Sequence, residues 1–124
     1  MTIPTTIKLH KASRLLELGY SDGQVFQLPA EYLRVMSPSA EVRGHGRPVL
    51  QTGKLHVALT HVETAGRYAL KLTFDDGHDS GLYTWDYLFQ LGNEYPRRWQ
   101  DYLDQLGEVG ASRDPDVAVV RFTP

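Results

Sequence analysis

The chain has no cysteine. That excludes disulfides, thiolate zinc sites, cysteine-ligated iron–sulfur clusters and cysteine nucleophiles, and it fits a reducing compartment. A basic excess is also missing: 13 lysines and arginines face 15 acidic residues, a formal charge of −2. A binder of the phosphate backbone needs surplus positive charge, so nucleic acid is not an expected partner. No apolar run approaches the roughly 20 residues of a membrane span, and Met1 to Leu9 holds no apolar core of a secretory leader. A cytoplasmic protein without membrane contact is the expectation. No internal repeat or low-complexity segment is visible. The G-x-S-x-G elbow, the phosphate-binding P-loop and the dinucleotide glycine fingerprint are all missing, so hydrolase and nucleotide chemistry have no motif to rest on.

What is present is a chain of 124 residues, long enough for one domain with a real core. Ser13–Leu18 and Gln24–Leu28 read as strands around Asp22-Gly23, a pair suited to a hairpin turn. Alternation puts Leu16, Leu18 and Tyr20 on one face. Pro29 to Val35 reads as a short helix with proline near its start, stopped before Pro38. Residues 40–54 hold three glycines and a proline and read as a long loop, mobile around Arg43-Gly44-His45-Gly46. His56–Val62 and Tyr68–Phe74 read as strands joined by a turn at Gly66. In the second, Tyr68, Leu70, Leu72 and Phe74 point one way, while Ala69, Lys71 and Thr73 point the other.

Thr84 is placed to cap a helix beginning at Trp85, with Gly92 as its stop. Asn93 would cap the next helix, where Trp99, Tyr102, Leu103 and Leu106 follow amphipathic spacing, and Gly107 and Gly110 would end it. Residues 111–124 read as a flexible tail, although Val117–Phe122 also suits an edge strand. The expected fold is α+β: an antiparallel β-sheet packed by a short helix and two C-terminal helices, with the domain spanning 1–110.

The most informative stretch is Asp76-Gly77-His78-Asp79-Ser80-Gly81-Leu82-Tyr83, followed by Trp85-Asp86-Tyr87-Leu88. It resembles the D-G-H-x-S-G-x-Y and W-x-Y-L hallmark of the gamma-butyrobetaine hydroxylase-like N-terminal domain family. Leu28-Pro29-Ala30-Glu31-Tyr32-Leu33-Arg34 resembles the family's L-P-x-x-x-L-R segment. The likeness runs from about Lys8 to Leu106. It implies a domain that accompanies an oxygenase in the hydroxylase and holds zinc there through a C-P-C-x-x-C run and a histidine. Laid on this sequence, the cysteine positions fall at Ser37, Ser39 and Val42, and the histidine at His78. Serine hydroxyls are poor zinc ligands and valine is none, so the resemblance implies that only His78 persists. Related domains joined to P-loop carriers of iron–sulfur clusters imply a link to metal or iron–sulfur metabolism, by analogy of fold alone.

Two readings of Asp76, His78, Asp79, Ser80, Tyr83 and Trp85 stand open. One is a polar site for a ligand or protein partner, with the aromatics as anchors. The other is a turn whose side chains satisfy its own backbone, with the aromatics as core. The leading expectation is a non-catalytic binding or adaptor domain with a protein partner. The alternative is a metal protein that holds iron or zinc with His78 and Asp76 or Asp79. His61 and Glu63, with His78, match a facial iron triad in residue type. His56 and His61 would lie on opposite faces of a regular strand, and His10 and His45 are isolated.

Overall fold

A computed structural model of the chain describes residues 2–39, 42 and 49–117. In chain order the elements are β1 (Thr6–His10), β2 (Leu15–Gly19), β3 (Val25–Pro29), α1 (Ala30–Val35), β4 (Leu59–Ala65), β5 (Ala69–Phe74), β6 (Leu82–Thr84), α2 (Trp85–Asn93) and α3 (Tyr95–Val109). The fold is α+β. Its antiparallel strands are divided between two three-stranded sheets, ordered β1-β2-β3 and β4-β5-β6.

The first sheet follows from alternation and one turn. Leu16 and Leu18 are fully buried from β2. Gly23 takes φ +89 in the turn between β2 and β3, where Asp22 Oδ1 accepts the Gln24 amide at 2.9 Å. Strand β1 was not among the sequence expectations. Its inward residues, Ile7 and Leu9, alternate with polar ones, but Ile7 remains exposed and so gives a faint pattern.

The strands of the second sheet differ in their bounds from those expected. Strand β4 starts at Leu59 rather than His56, because Val57 turns back on the Lys54 carbonyl. Ala58 and Asp75 then exchange hydrogen bonds beside the first ladder pair, Leu59 and Phe74. Leu70, Leu72 and Phe74 point into the core as their alternation requires. Tyr68 does not join them. It sits in the turn that follows Gly66, which has φ +60, and is 65% exposed.

Helix α2 begins where expected: Thr84 Oγ1 accepts the Tyr87 amide at 3.1 Å. Its end is different. The helix runs through Gly92 to Asn93, and Glu94 alone separates it from α3, with no side-chain cap. Asn93 is therefore helical rather than a cap. Gly92 serves close packing: a Cβ there would lie 2.2 Å from the Phe26 ring. Helix α3 passes through Gly107 and ends at Gly110, which takes φ +67.

The main core joins both sheets, α1 and α2, and a smaller cluster of Val35, Tyr102 and Leu106 seats α3. Leu16, Leu18 and Leu28 of the first sheet share a cluster with Leu59, Leu70, Leu72, Phe74 and Tyr83 of the second, and with Leu88 and Leu91 of α2. Of the segment read as a tail, residues 111–117 are described. The Gly53 and Leu55 amides donate to the Ser112 and Arg113 carbonyls, and Arg113 makes a two-pronged pair with Glu31 of α1. The readings of residues 43–48 and 118–124 lie outside the described residues.

Candidate functional site

The hallmark segment is the connection from β5 to β6. Gly77, with φ +88, lets the chain reverse. Its amide donates to the Phe74 carbonyl at 3.1 Å, and the Phe74 amide donates to the His78 carbonyl at 3.0 Å. This closure turns the His78 ring inward, where it is buried 6.0 Å from the Phe74 ring.

His78 Nε2 lies 2.8 Å from Ser37 Oγ, and Ser37 is completely buried. Ser37 Oγ also accepts the Ser39 amide at 3.2 Å, and Ser39 Oγ lies 2.6 Å from Ser80 Oγ. The loop after α1 is thus fastened to the β5–β6 turn by two side-chain pairs. Gly81 makes the approach feasible, since a Cβ there would stand 2.4 Å from Ser37 Oγ.

Asp76 is held from three sides. Its Oδ2 accepts Arg34 Nε at 2.8 Å and Lys54 Nζ at 2.7 Å, and its Oδ1 accepts the His78 amide at 3.1 Å. Burial alone would raise its pKa. The Lys54, His78 and Arg34 contacts outweigh that effect and lower it from 3.8 to about 2. Arg34 Nη1 is buried without a hydrogen-bond partner among the described residues. Sequence reasoning missed Arg34 and Lys54 as members of this cluster. They stand 42 and 22 residues from Asp76, and no local pattern marks the pairing.

The remaining expected residues divide by exposure. Asp79 faces out, 3.9 Å from Lys71 Nζ, beside exposed Ser80. Tyr83 is fully buried and its hydroxyl donates to the Leu33 carbonyl; burial pushes its pKa above the ordinary tyrosine value. Trp85 is also buried, with Nε1 donating to the Arg67 carbonyl at 2.7 Å. Both aromatics have core positions.

The donor set does not fit the zinc ion of the hydroxylase. Val42 is buried and offers no donor, Ser37 and Ser39 are hydroxyls, and the His78 nitrogen nearest them is hydrogen-bonded to Ser37. Among the described residues, no group of three metal-ligating side chains includes His78, whether with Asp76 and Asp79 or with His61 and Glu63. His61 and Glu63 pair with each other at 3.6 Å on the solvent side of β4. His56 lies in the loop before β4, not in the strand, and His10 pairs with Glu17 at 3.2 Å.

A small α+β domain in which a D-G-H-x-S-G-x-Y turn docks on the loop after a short helix is thus defined. The family described as gamma-butyrobetaine hydroxylase-like, N-terminal, matches residues 7–89. The chain belongs to that family. Two solution NMR structures resemble it over nearly its whole length. One is 60% identical, covers 100% of this chain and 99% of its own, and has a TM-score of 0.86. The other is 47% identical, covers 99% and 95%, and has a TM-score of 0.80. A crystal structure from Acidithiobacillus ferrooxidans ATCC 23270, described as a DUF971-family protein of unknown function, is 38% identical. It covers 72% of this chain and 91% of its own, with a TM-score of 0.62. No curated protein matches the chain.

Proposed function

We propose that this chain is a non-catalytic binding domain that engages a protein partner through the outward side of the β5–β6 connection. One observation carries the reading: the groups that would do chemistry in the hallmark turn are spent on holding it together. His78 is buried against Ser37, and Asp76 is neutralised by Arg34 and Lys54. Neither lines the cavity between the loop after α1 and α3, or the one between β1 and β4. A general base must reach the proton it takes; His78 faces protein, and the partly exposed Asp76 carboxylate is tied to two cations.

The turn exposes Asp75, Asp76, Gly77, Asp79 and Ser80 to solvent, and Leu82 at the start of β6 is 52% exposed. Strand β6 ends its sheet, and the unpaired backbone groups along an end strand are a template for pairing with another chain, which supports partner contact more than catalysis. A link to metal or iron–sulfur metabolism is part of this proposal and rests on family analogy alone.

The test is affinity purification with wild type, Leu82→Asp and Asp79→Lys, each checked for native amide spectra. A partner captured by wild type and lost from both variants is expected. Capture of the same partners by all three proteins would overturn the assignment of this face.

A further inference from the structure

Outside the hallmark turn, His56, Asp114 and Asp116 bring one ligand atom each to within 4.8 Å of one another. The three residues come from two segments that the backbone ties together. The Gly53 amide donates to the Ser112 carbonyl and the Leu55 amide to the Arg113 carbonyl, both at 3.0 Å. Gly53 lies against Pro115 and takes φ +66, a backbone conformation that favours glycine. The second segment is itself a built turn. The Asp114 amide donates to Ser112 Oγ at 3.0 Å, the Asp116 amide to Asp114 Oδ1 at 2.9 Å, and the Val117 amide to the Asp114 carbonyl at 3.2 Å. Arg113 anchors it to α1 through Glu31 and stacks over Trp99 at 5.1 Å.

We propose that His56, Asp114 and Asp116 form a binding site for a first-row divalent transition-metal ion. Among the described residues neither carboxylate pairs with a lysine or arginine, and two carboxylates and an imidazole share one small space. One nitrogen and two carboxylate oxygens suit Zn²⁺, Mn²⁺ or Fe²⁺ and leave further positions for water. Mg²⁺ and Ca²⁺, which favour oxygen ligands, are poorer fits. Bound there, the ion would staple residues 112–116 to the loop that carries Lys54, two residues from His56 and a partner of Asp76. The site is independent of the partner-binding proposal, since none of its ligands lies in the β5–β6 turn.

The test uses the full chain, stripped with chelator and titrated with Zn²⁺. Histidine ring signals report the ligand and calorimetry reports the stoichiometry. Saturable binding of one ion per chain is expected, with the His56 ring as the responding imidazole. Slower amide exchange at Gly53 and Leu55 should accompany it. His56→Ala and Asp116→Asn, each with a native amide spectrum, should weaken binding at least tenfold, and excess Mg²⁺ should not displace the ion. No saturation at millimolar Zn²⁺ would overturn the proposal. So would binding of equal strength in both variants, with the response at His10, His61 or His78.

Discussion

Asp76 shows how one side chain can look catalytic in a sequence and be structural in a fold. Its carboxylate joins three elements: α1 through Arg34, the loop before β4 through Lys54, and the β5–β6 turn through the His78 amide. Its pKa is lower in the folded protein, about 2, than its ordinary value of 3.8. The stabilisation is therefore complete above about pH 4 and is lost as the pH falls from there through 2. Asp76→Asn removes the charge that buried Arg34 faces, and, since the Asp76 side chain is partly exposed, a loss of about 2 kcal/mol at pH 7 is expected. Urea denaturation of both proteins between pH 7 and pH 2 checks this. The stability gap should narrow below pH 4; a gap of constant size would show that the charge is not what Asp76 contributes. The Ser37–His78 pair repeats the lesson. Its spacing of 41 residues has no signature in a single sequence, although the family resemblance aligned Ser37 and His78 with ligands of one zinc site and so implied that they meet.

Helices and strands were legible to the extent that their own residues decide them. The Asp22-Gly23 turn, the buried face of β5 and the Thr84 cap are local features, and each is present as expected. Boundaries that depend on neighbours were not legible. Glycine at position 92 reads as a helix stop because glycine is a poor helix former. It persists inside α2 because the Phe26 ring of β3 occupies the space a side chain would need. Gly92→Ala should gain up to about 1 kcal/mol in helix propensity and lose about 1–3 kcal/mol to overpacking. Net destabilisation of roughly 1 kcal/mol follows, and Phe26→Leu should shrink it by freeing the space. Chemical denaturation of the two single variants and the double variant measures the coupling. A stabilised Gly92→Ala protein would mean that Phe26 yields freely.

At the scale of the whole molecule, two small sheets behave as one body because they share a core. Leu16, Leu18 and Leu28 contact the same cluster as Leu70, Leu72 and Phe74. Buried tyrosines add pins across it: Tyr32 donates to the Leu91 carbonyl at 2.7 Å, and Tyr83 to the Leu33 carbonyl. Unfolding should therefore be a single transition. Far-UV circular dichroism, which follows both sheets and the helices, should share one midpoint with the fluorescence of Trp85 and Trp99. Midpoints separated by several degrees would show that the two sheets unfold independently. No helix among the described residues is long and apolar enough to cross a membrane.

The amino-acid sequence alone determined the α+β class, most of the elements and the family, because periodicity, turn chemistry and a short ordered motif are local properties of the chain. Tertiary structure decided what the motif's residues do. Whether His78 faces solvent or Ser37, and whether Asp76 is a free acid or the counter-ion of Arg34 and Lys54, depends on contacts between segments tens of residues apart. The same holds for His56, Asp114 and Asp116. His56 is far in sequence from the other two and comes together with them only when the backbone of residues 53–55 pairs with that of 112–113. Burial and charge pairing arise in three dimensions, and they separate a residue that reacts from one that holds the chain in shape.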